Sequence, residues 1–244
     1  MKSHITLPKS TLNRFSRNGS LTYYDLNNKK IGKCSVRNFC VQENYFSKET
    51  EDYLSRELER KLGLLNKRLE KFNNRSEPFL VTEQDQKLII DAVVFQTFRN
   101  PKTAEILKNN CISDLLFNSP NNFYNEWLLI ENNFLRYKKF LSNILNEFRL
   151  NILEIRCNGY FFLPTFHYTE FQNQILFIMS PKMAFILMPP HKINQYIDEL
   201  GPLYALIHEP EILEAINKNI IKYEQEYGLG LVIGNEEDLK YFVQ

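Results

Sequence analysis

The apolar residues of this chain change their spacing near residue 150, and that change limits what it can fold into. Between residues 48 and 148 they recur at three- and four-residue steps. Leu54, Leu58, Leu62, Leu65, Leu69 and Phe72 form one stripe with charged residues between them. A stripe of this period is one face of a helix, here from about Lys48 to Lys71, and it reads as core rather than as a ligand site. Thr82 is placed to cap a second helix that runs through Val94, Phe95 and Phe98, since a threonine oxygen accepts from the unpaired N–H groups of a first turn. Pro101 resets the chain, a short helix carries Ile106 and Leu107, and Trp127, Ile130, Phe134, Tyr137, Leu141, Ile144 and Phe148 mark a third long helix from about Phe123 to Phe148. Beyond it the apolar runs shorten. Ile152 to Ile155, Gly159 to Leu163, Gln174 to Met179 and Met183 to Met188 are bounded by Pro, Asn or Gly, as buried strands are.

The ends of the chain complete the outline. Leu21 to Leu26 is rich in β-formers, Asn27-Asn28-Lys29-Lys30 turns the chain, and a second strand runs from Ile31 to about Val36, which makes an N-terminal hairpin. Only Ser180-Pro181-Lys182 separates the runs on either side of it, so they pair as an antiparallel hairpin. Leu213, Ile216, Ile220 and Tyr223 define a last helix from about Pro210 to Tyr227, and Leu229 to Ile233 is a final strand. The expected fold class is α+β: an N-terminal β-hairpin, central long helices, and C-terminal antiparallel strands with a terminal helix. No repeat or linker interrupts residues 1–244, which are expected to form a single domain.

Composition excludes several functions. Hydrophobic residues make up 43% of the 244 and charged residues 24%, enough for a packed core and too little charge for wholesale disorder. There are only eight glycines, and no phosphate loop, nucleophile elbow, zinc signature or dinucleotide fingerprint, so no cofactor or metal is expected. The four cysteines, Cys34, Cys40, Cys111 and Cys157, form no CxxC pair. Neither a secretory leader nor a membrane-length apolar run is present, and a cytoplasmic location with reduced thiols is the expectation.

Net charge is +1, but the ends differ. Residues 1–40 carry eight cations against Asp25 alone, and residues 195–244 carry ten acids against Lys218, Lys222 and Lys240. The plainer reading is that the two ends attract and dock. The functional reading is an anion-binding face near the N-terminus, for which Lys9, Arg14, Arg17, Lys29, Lys30 and, farther on, Arg99 are the nucleic-acid-binding candidates.

For chemistry, His4 stands before Pro8 and a basic amphipathic segment containing Leu12, Arg14 and Phe15. A histidine there serves as a general base or phosphate contact, or makes a structural hydrogen bond. Asn217 leans toward the apolar face of its helix, where an amide needs a partner; the plainer reading is a tie to a loop backbone. Phe166-His167-Tyr168 suits either a stacked base or a core edge.

The order of several short motifs resembles one family. These are Ser3-His4-Ile5-Thr6, Pro8-Lys9, Leu12, Arg14-Phe15-Ser16, Gly19-x-Leu21-x-Tyr23-Tyr24-Asp25, Glu43-x-Tyr45-Phe46-Ser47, Arg99-Asn100-Pro101, Met179-Ser180-Pro181-Lys182 and Ile216-Asn217. Together they resemble the bacterial and phage-borne domain-of-unknown-function family four-two-three-eight. Many of its members carry a Thr-Ser-Asp-x-Pro-like stretch where this chain has Leu163-Pro164-Thr165-Phe166-His167, so any role of that family aspartate has no counterpart here. The resemblance implies no activity; its occurrence in bacteria and phages suggests phage–host conflict. The leading expectation is an RNase-like effector acting on RNA or DNA. In it His4 and Glu43 share proton transfers, Tyr45 and Asn217 complete the catalytic set, and Arg14 or Arg99 holds phosphate. The alternative is a non-enzymatic module that binds a phage or host protein.

Overall fold

The structure is a computed structural model that describes residues 2–43, 48–73, 79–99, 139, 143–171, 173–189 and 204–243. Tyr45, Cys111, His191, the short helix at Ile106 and most of the third long helix, Trp127 included, lie outside the described residues.

The described elements run β1 (Lys2–His4), α1 (Lys9–Phe15), β2 (Ser20–Asp25), β3 (Lys30–Ser35), β4 (Val41–Glu43), α2 (Lys48–Leu54), α3 (Arg60–Asn73) and α4 (Glu83–Arg99). Then follow β5 (Arg149–Ile155), β6 (Leu163–Pro164), β7 (Tyr168–Phe171), β8 (Gln174–Ser180), β9 (Met183–Met188), β10 (Tyr204–Ile207), α5 (Pro210–Tyr227), β11 (Leu231–Ile233) and α6 (Glu236–Val243). A π-helical turn, Ser55–Glu59, joins α2 to α3. The fold is α+β, with the N-terminal hairpin, the first two long helices, the C-terminal strands other than the Gly159 to Leu163 run, and a terminal helix where the sequence pattern puts them. No described helix is long and apolar enough to cross a membrane.

A five-stranded sheet of order β10-β5-β9-β8-β7 forms the centre, antiparallel except where β10 runs parallel to β5. Its strands alternate between two cores, which is why they read as unbroken apolar runs. Leu150, Ile152, Phe177, Met183, Phe185 and Leu187 face a core shared with the leucine stripe of α2, α3 and the Ile89–Phe95 stretch of α4. Leu153, Ile155, Leu176, Ile178 and Ala184 face a second core built from Leu7, Leu12, Leu21, α5 and a four-stranded sheet of order β3-β2-β11-β6. Thr82 caps α4 as expected: its Oγ1 accepts from the Asp85 N–H, and the Asp85 carboxylate accepts from the Thr82 N–H in return, a reciprocal box that satisfies two exposed donors.

The two ends of the chain do dock. β11 pairs with β2, the Lys33 ammonium meets the Glu236 carboxylate, and Leu239 of α6 is buried in the second core. The N-terminal segment is equally anchored: the Gln96 amide donates to the Thr6 carbonyl at 3.0 Å, and Leu7 and Leu12 are each 1% exposed. Leu12→Ala is therefore expected to cost about 2–4 kcal/mol, measured by urea unfolding; a loss under about 0.5 kcal/mol would show that α1 is not part of the core.

One strand is shorter than its sequence pattern. The run Gly159 to Leu163 is extended sheet only at Leu163–Pro164. The preceding loop is held open by Lys182, whose Nζ donates to the carbonyls of Cys157 at 3.0 Å and Gly159 at 2.7 Å. Gly159 sits at φ +108, a conformation closed to other residues without strain.

α5 fastens this corner with three polar side chains. Asn217 accepts from the Phe162 N–H and donates to the Tyr160 carbonyl, both at 2.9 Å. Asn219 donates to Thr169 Oγ1 and to the Glu170 carbonyl. Glu224 is fully buried. One of its oxygens accepts from the Thr165 N–H at 2.8 Å, and the other from the Gly230 and Leu231 N–H groups and meets the Thr165 hydroxyl. Burial pushes the Glu224 carboxyl up to about 7, against the pull of these donors. Gly228 has to be glycine, because a Cβ there would lie 2.1 Å from the Glu224 side chain.

Candidate nucleic-acid interface

Part of the basic N-terminal segment closes around a cleft. α1 ends at Phe15, which places Arg14 and Phe15 in its last turn, and the chain crosses to β2 through Ser16, Arg17 and a left-handed Asn18-Gly19 turn. Arg14, Phe15, Ser16 and Arg17, with Ser20 and Thr22 from β2 and Lys33 from β3, form one wall. The other wall is Tyr160, Phe161 and Pro181 from the Lys182-held loop and the β8–β9 turn. Gly234, Asn235 and Glu236, leading into α6, complete a cleft of about 450 Å³, the size of a small-ligand site.

The electrostatics of the cleft are mixed but mainly positive. Arg14 is buried down to 14% side-chain exposure and pairs with the more exposed Glu70 at 2.7 Å. Burial lowers its pKa and Glu70 opposes that shift. Lys33 and Lys240 both hold the Glu236 carboxylate, Lys240 at 2.9 Å, and keep it ionised down to about 2. Arg17 makes no ion pair among the described residues. Its charge, like that of Lys182, favours ionisation of Asp238, but burial and Glu237 raise that carboxyl on balance. Lys182 lies 4.6 Å from the centre of the Tyr160 ring, a cation–π contact that fixes the ring as cleft wall.

The other nominated residues fall elsewhere. Lys9, Lys29 and Lys30 are exposed and do not line the cleft; Lys29 and Lys30 lie at the tip of the β2–β3 hairpin. Arg99 ends α4, with its side chain outside the description. His4 and Glu43 do approach each other: β1 and β4 pair with Lys2 opposite Glu43 and His4 opposite Val41, so both stand on one face of a two-stranded ribbon at diagonal positions. His4 donates its Nδ1–H to the Phe39 carbonyl at 3.0 Å. Asn217 spends both ends of its amide on Tyr160 and Phe162. None of these three lines the cleft. Phe166 and Tyr168 are buried and pack edge-on at 4.7 Å, and His167 lies on Phe177 at 4.2 Å, so this cluster is core.

A family model described as protein of unknown function (DUF4238) matches residues 4–153. The chain belongs to this family. The DUF4238 match contains the first cleft wall, Arg14 to Lys33, and stops before Tyr160, Pro181 and Glu236. No curated protein and no solved structure matches the chain. Of the cleft residues, Arg14 and Arg17 are candidates from the sequence; Lys33, Tyr160 and Glu236 are not. Lys33 is one of the eight cations of residues 1–40, with no further signal of its own in the sequence. The signal for the second wall was the Ser180-Pro181-Lys182 motif, whose turn lies beside Tyr160.

Proposed function

We propose that this protein binds single-stranded nucleic acid, with the phosphate held by Arg17 and Lys33 and the base against Tyr160. The observation that carries this reading is the convergence of Arg14 from α1, Arg17 from the loop after it and Lys33 from β3 on one cleft that also presents aromatic side chains. Cations that follow a backbone beside rings that stack bases are the common means of gripping a single strand without reading its sequence. The concavity suits a strand whose bases can be splayed, not the convex side of a duplex. The proposal is of binding. Cleavage by His4, Glu43, Tyr45 and Asn217 is not part of it, since the three of these that are described are outside the cleft. A role in phage–host conflict fits such binding and is tested by phage plating on cells expressing wild type or Arg17→Ala.

The direct test is fluorescence polarisation with a labelled 12-nucleotide strand, RNA and DNA in parallel. Micromolar binding is expected at about 50 mM salt. With three cations engaged, it should weaken about eighteenfold by about 200 mM. Arg17→Ala and Lys33→Ala should each lower the salt slope by about 0.7. Absence of binding at low salt, with a phage or host protein captured instead, would replace this reading by the protein-binding one.

A further inference from the structure

The cleft continues past Arg14. A second hollow of about 260 Å³ adjoins it, lined by Arg14, Glu70, Ser180, Pro181 and Lys182 among others. Arg14 and Pro181 line both hollows. We infer that the ligand is an extended strand of at least two nucleotides, one in each hollow, with the phosphodiester between them on Arg14. This rests on the proposed function and deepens it by assigning two adjoining nucleotides of the strand to two subsites.

Three observations carry it. First, cations line the path: Arg17 and Lys33 border the first hollow and Arg14 borders both, while Lys182, its ammonium committed to the Cys157 and Gly159 carbonyls, is part of the second hollow's wall. A nucleoside monophosphate seated in the first hollow would leave the second hollow empty. Second, the ridge is built to exchange partners. The Arg14 side chain is 14% exposed and fixed, whereas its partner Glu70 is 56% exposed. An exposed acid contributes little to an ion pair, so a backbone phosphate can take its place without moving the arginine. Third, the two hollows share a rigid wall. Ser180 Oγ accepts from the Met183 N–H at 3.1 Å and closes the β8–β9 turn, and the Lys182 ammonium ties that turn to the Cys157–Gly159 loop while lying over Tyr160. The spacing of the subsites is thus set by the fold before the ligand arrives, which is what lets a second contact on one strand add to the first.

The experiment is a length series measured by calorimetry at low salt: uridine 5′-monophosphate, then the di-, tri- and hexanucleotide of uridine. Affinity is expected to rise at least about tenfold from the mononucleotide to the trinucleotide, beyond the roughly threefold that extra registers supply. Glu70→Trp, an exposed position that fills the second hollow, should abolish that step, so that in this variant the mononucleotide and trinucleotide dissociation constants differ by no more than about threefold. A mononucleotide that binds as tightly as the trinucleotide, or a length gain that survives Glu70→Trp, overturns the two-subsite inference and leaves the cleft as a nucleotide site. Absence of binding at every length overturns the proposed function as well.

Discussion

Glu224→Ala is expected to lower the unfolding free energy by about 3–5 kcal/mol, a large part of what holds a domain together. The carboxyl is fully buried and gathers the Thr165, Gly230 and Leu231 N–H groups. Removing it leaves those donors in a dry interior, at about 1–3 kcal/mol for each that finds no water. The same residue gives the fold a pH dependence. Its folded pKa, about 7, lies above the ordinary carboxyl value of 4.5, so the folded state binds the extra proton between those two values. The stabilisation from that proton is fully present below about pH 4.5 and is lost as pH rises through about 7. Urea unfolding of wild type and Glu224→Gln at pH 5 and pH 8 measures this: the wild type should lose more stability than the variant over that interval, by up to about 3 kcal/mol. Equal pH slopes would mean that Glu224 is ionised throughout, with its donors outweighing burial.

The second large effect is expected at Asn217. Asn217→Ala should cost about 2–4 kcal/mol, because it strands the Phe162 N–H and the Tyr160 carbonyl at a site that is 3% exposed. Asn219→Ala, two residues along and only half-buried, should cost less than about 1 kcal/mol. The contrast separates a structural tie from a functional group. A catalytic asparagine would leave stability near wild type, and a loss under about 1 kcal/mol at Asn217 would return it to the list of functional candidates. Tyr160 hangs on the same tie, so nucleic-acid binding should weaken together with stability in Asn217→Ala.

Much of the fold was legible because its signals are local. The leucine stripe from Leu54 to Leu69 and the Thr82 cap each lie within a few turns of one helix, and the β8–β9 hairpin declares itself through Ser180-Pro181-Lys182. The corner from Cys157 to Pro164 was not legible, since its shape depends on Lys182 and Asn217, distant in sequence. The terminal helix α6, absent from the sequence expectation, does have a local signal: Glu236, Glu237 and Asp238 crowd its first turn, where acids favour a helix start, and Leu239 and Phe242 follow at helical spacing. The site was half legible. Charge density pointed to Arg14 and Arg17, but the second wall comes from three segments beyond residue 159, and only folding brings them to the first. His4 and Asn217 stood out as polar groups beside apolar anchors. Both prove to hold backbone carbonyls, His4 that of Phe39 and Asn217 that of Tyr160, which is what a polar group on an apolar face most often does.

The central claim is that the cleft between Arg17 and Tyr160 holds a single strand. A 12-nucleotide strand carrying photoreactive 4-thiouridine, irradiated with the protein and followed by peptide mass spectrometry, tests it most directly. The account predicts adducts on Tyr160 or Phe15, both lost in the Arg17→Ala Lys33→Ala double variant. Adducts confined to the Lys29-Lys30 hairpin tip, or to the His4–Glu43 ribbon, would contradict it.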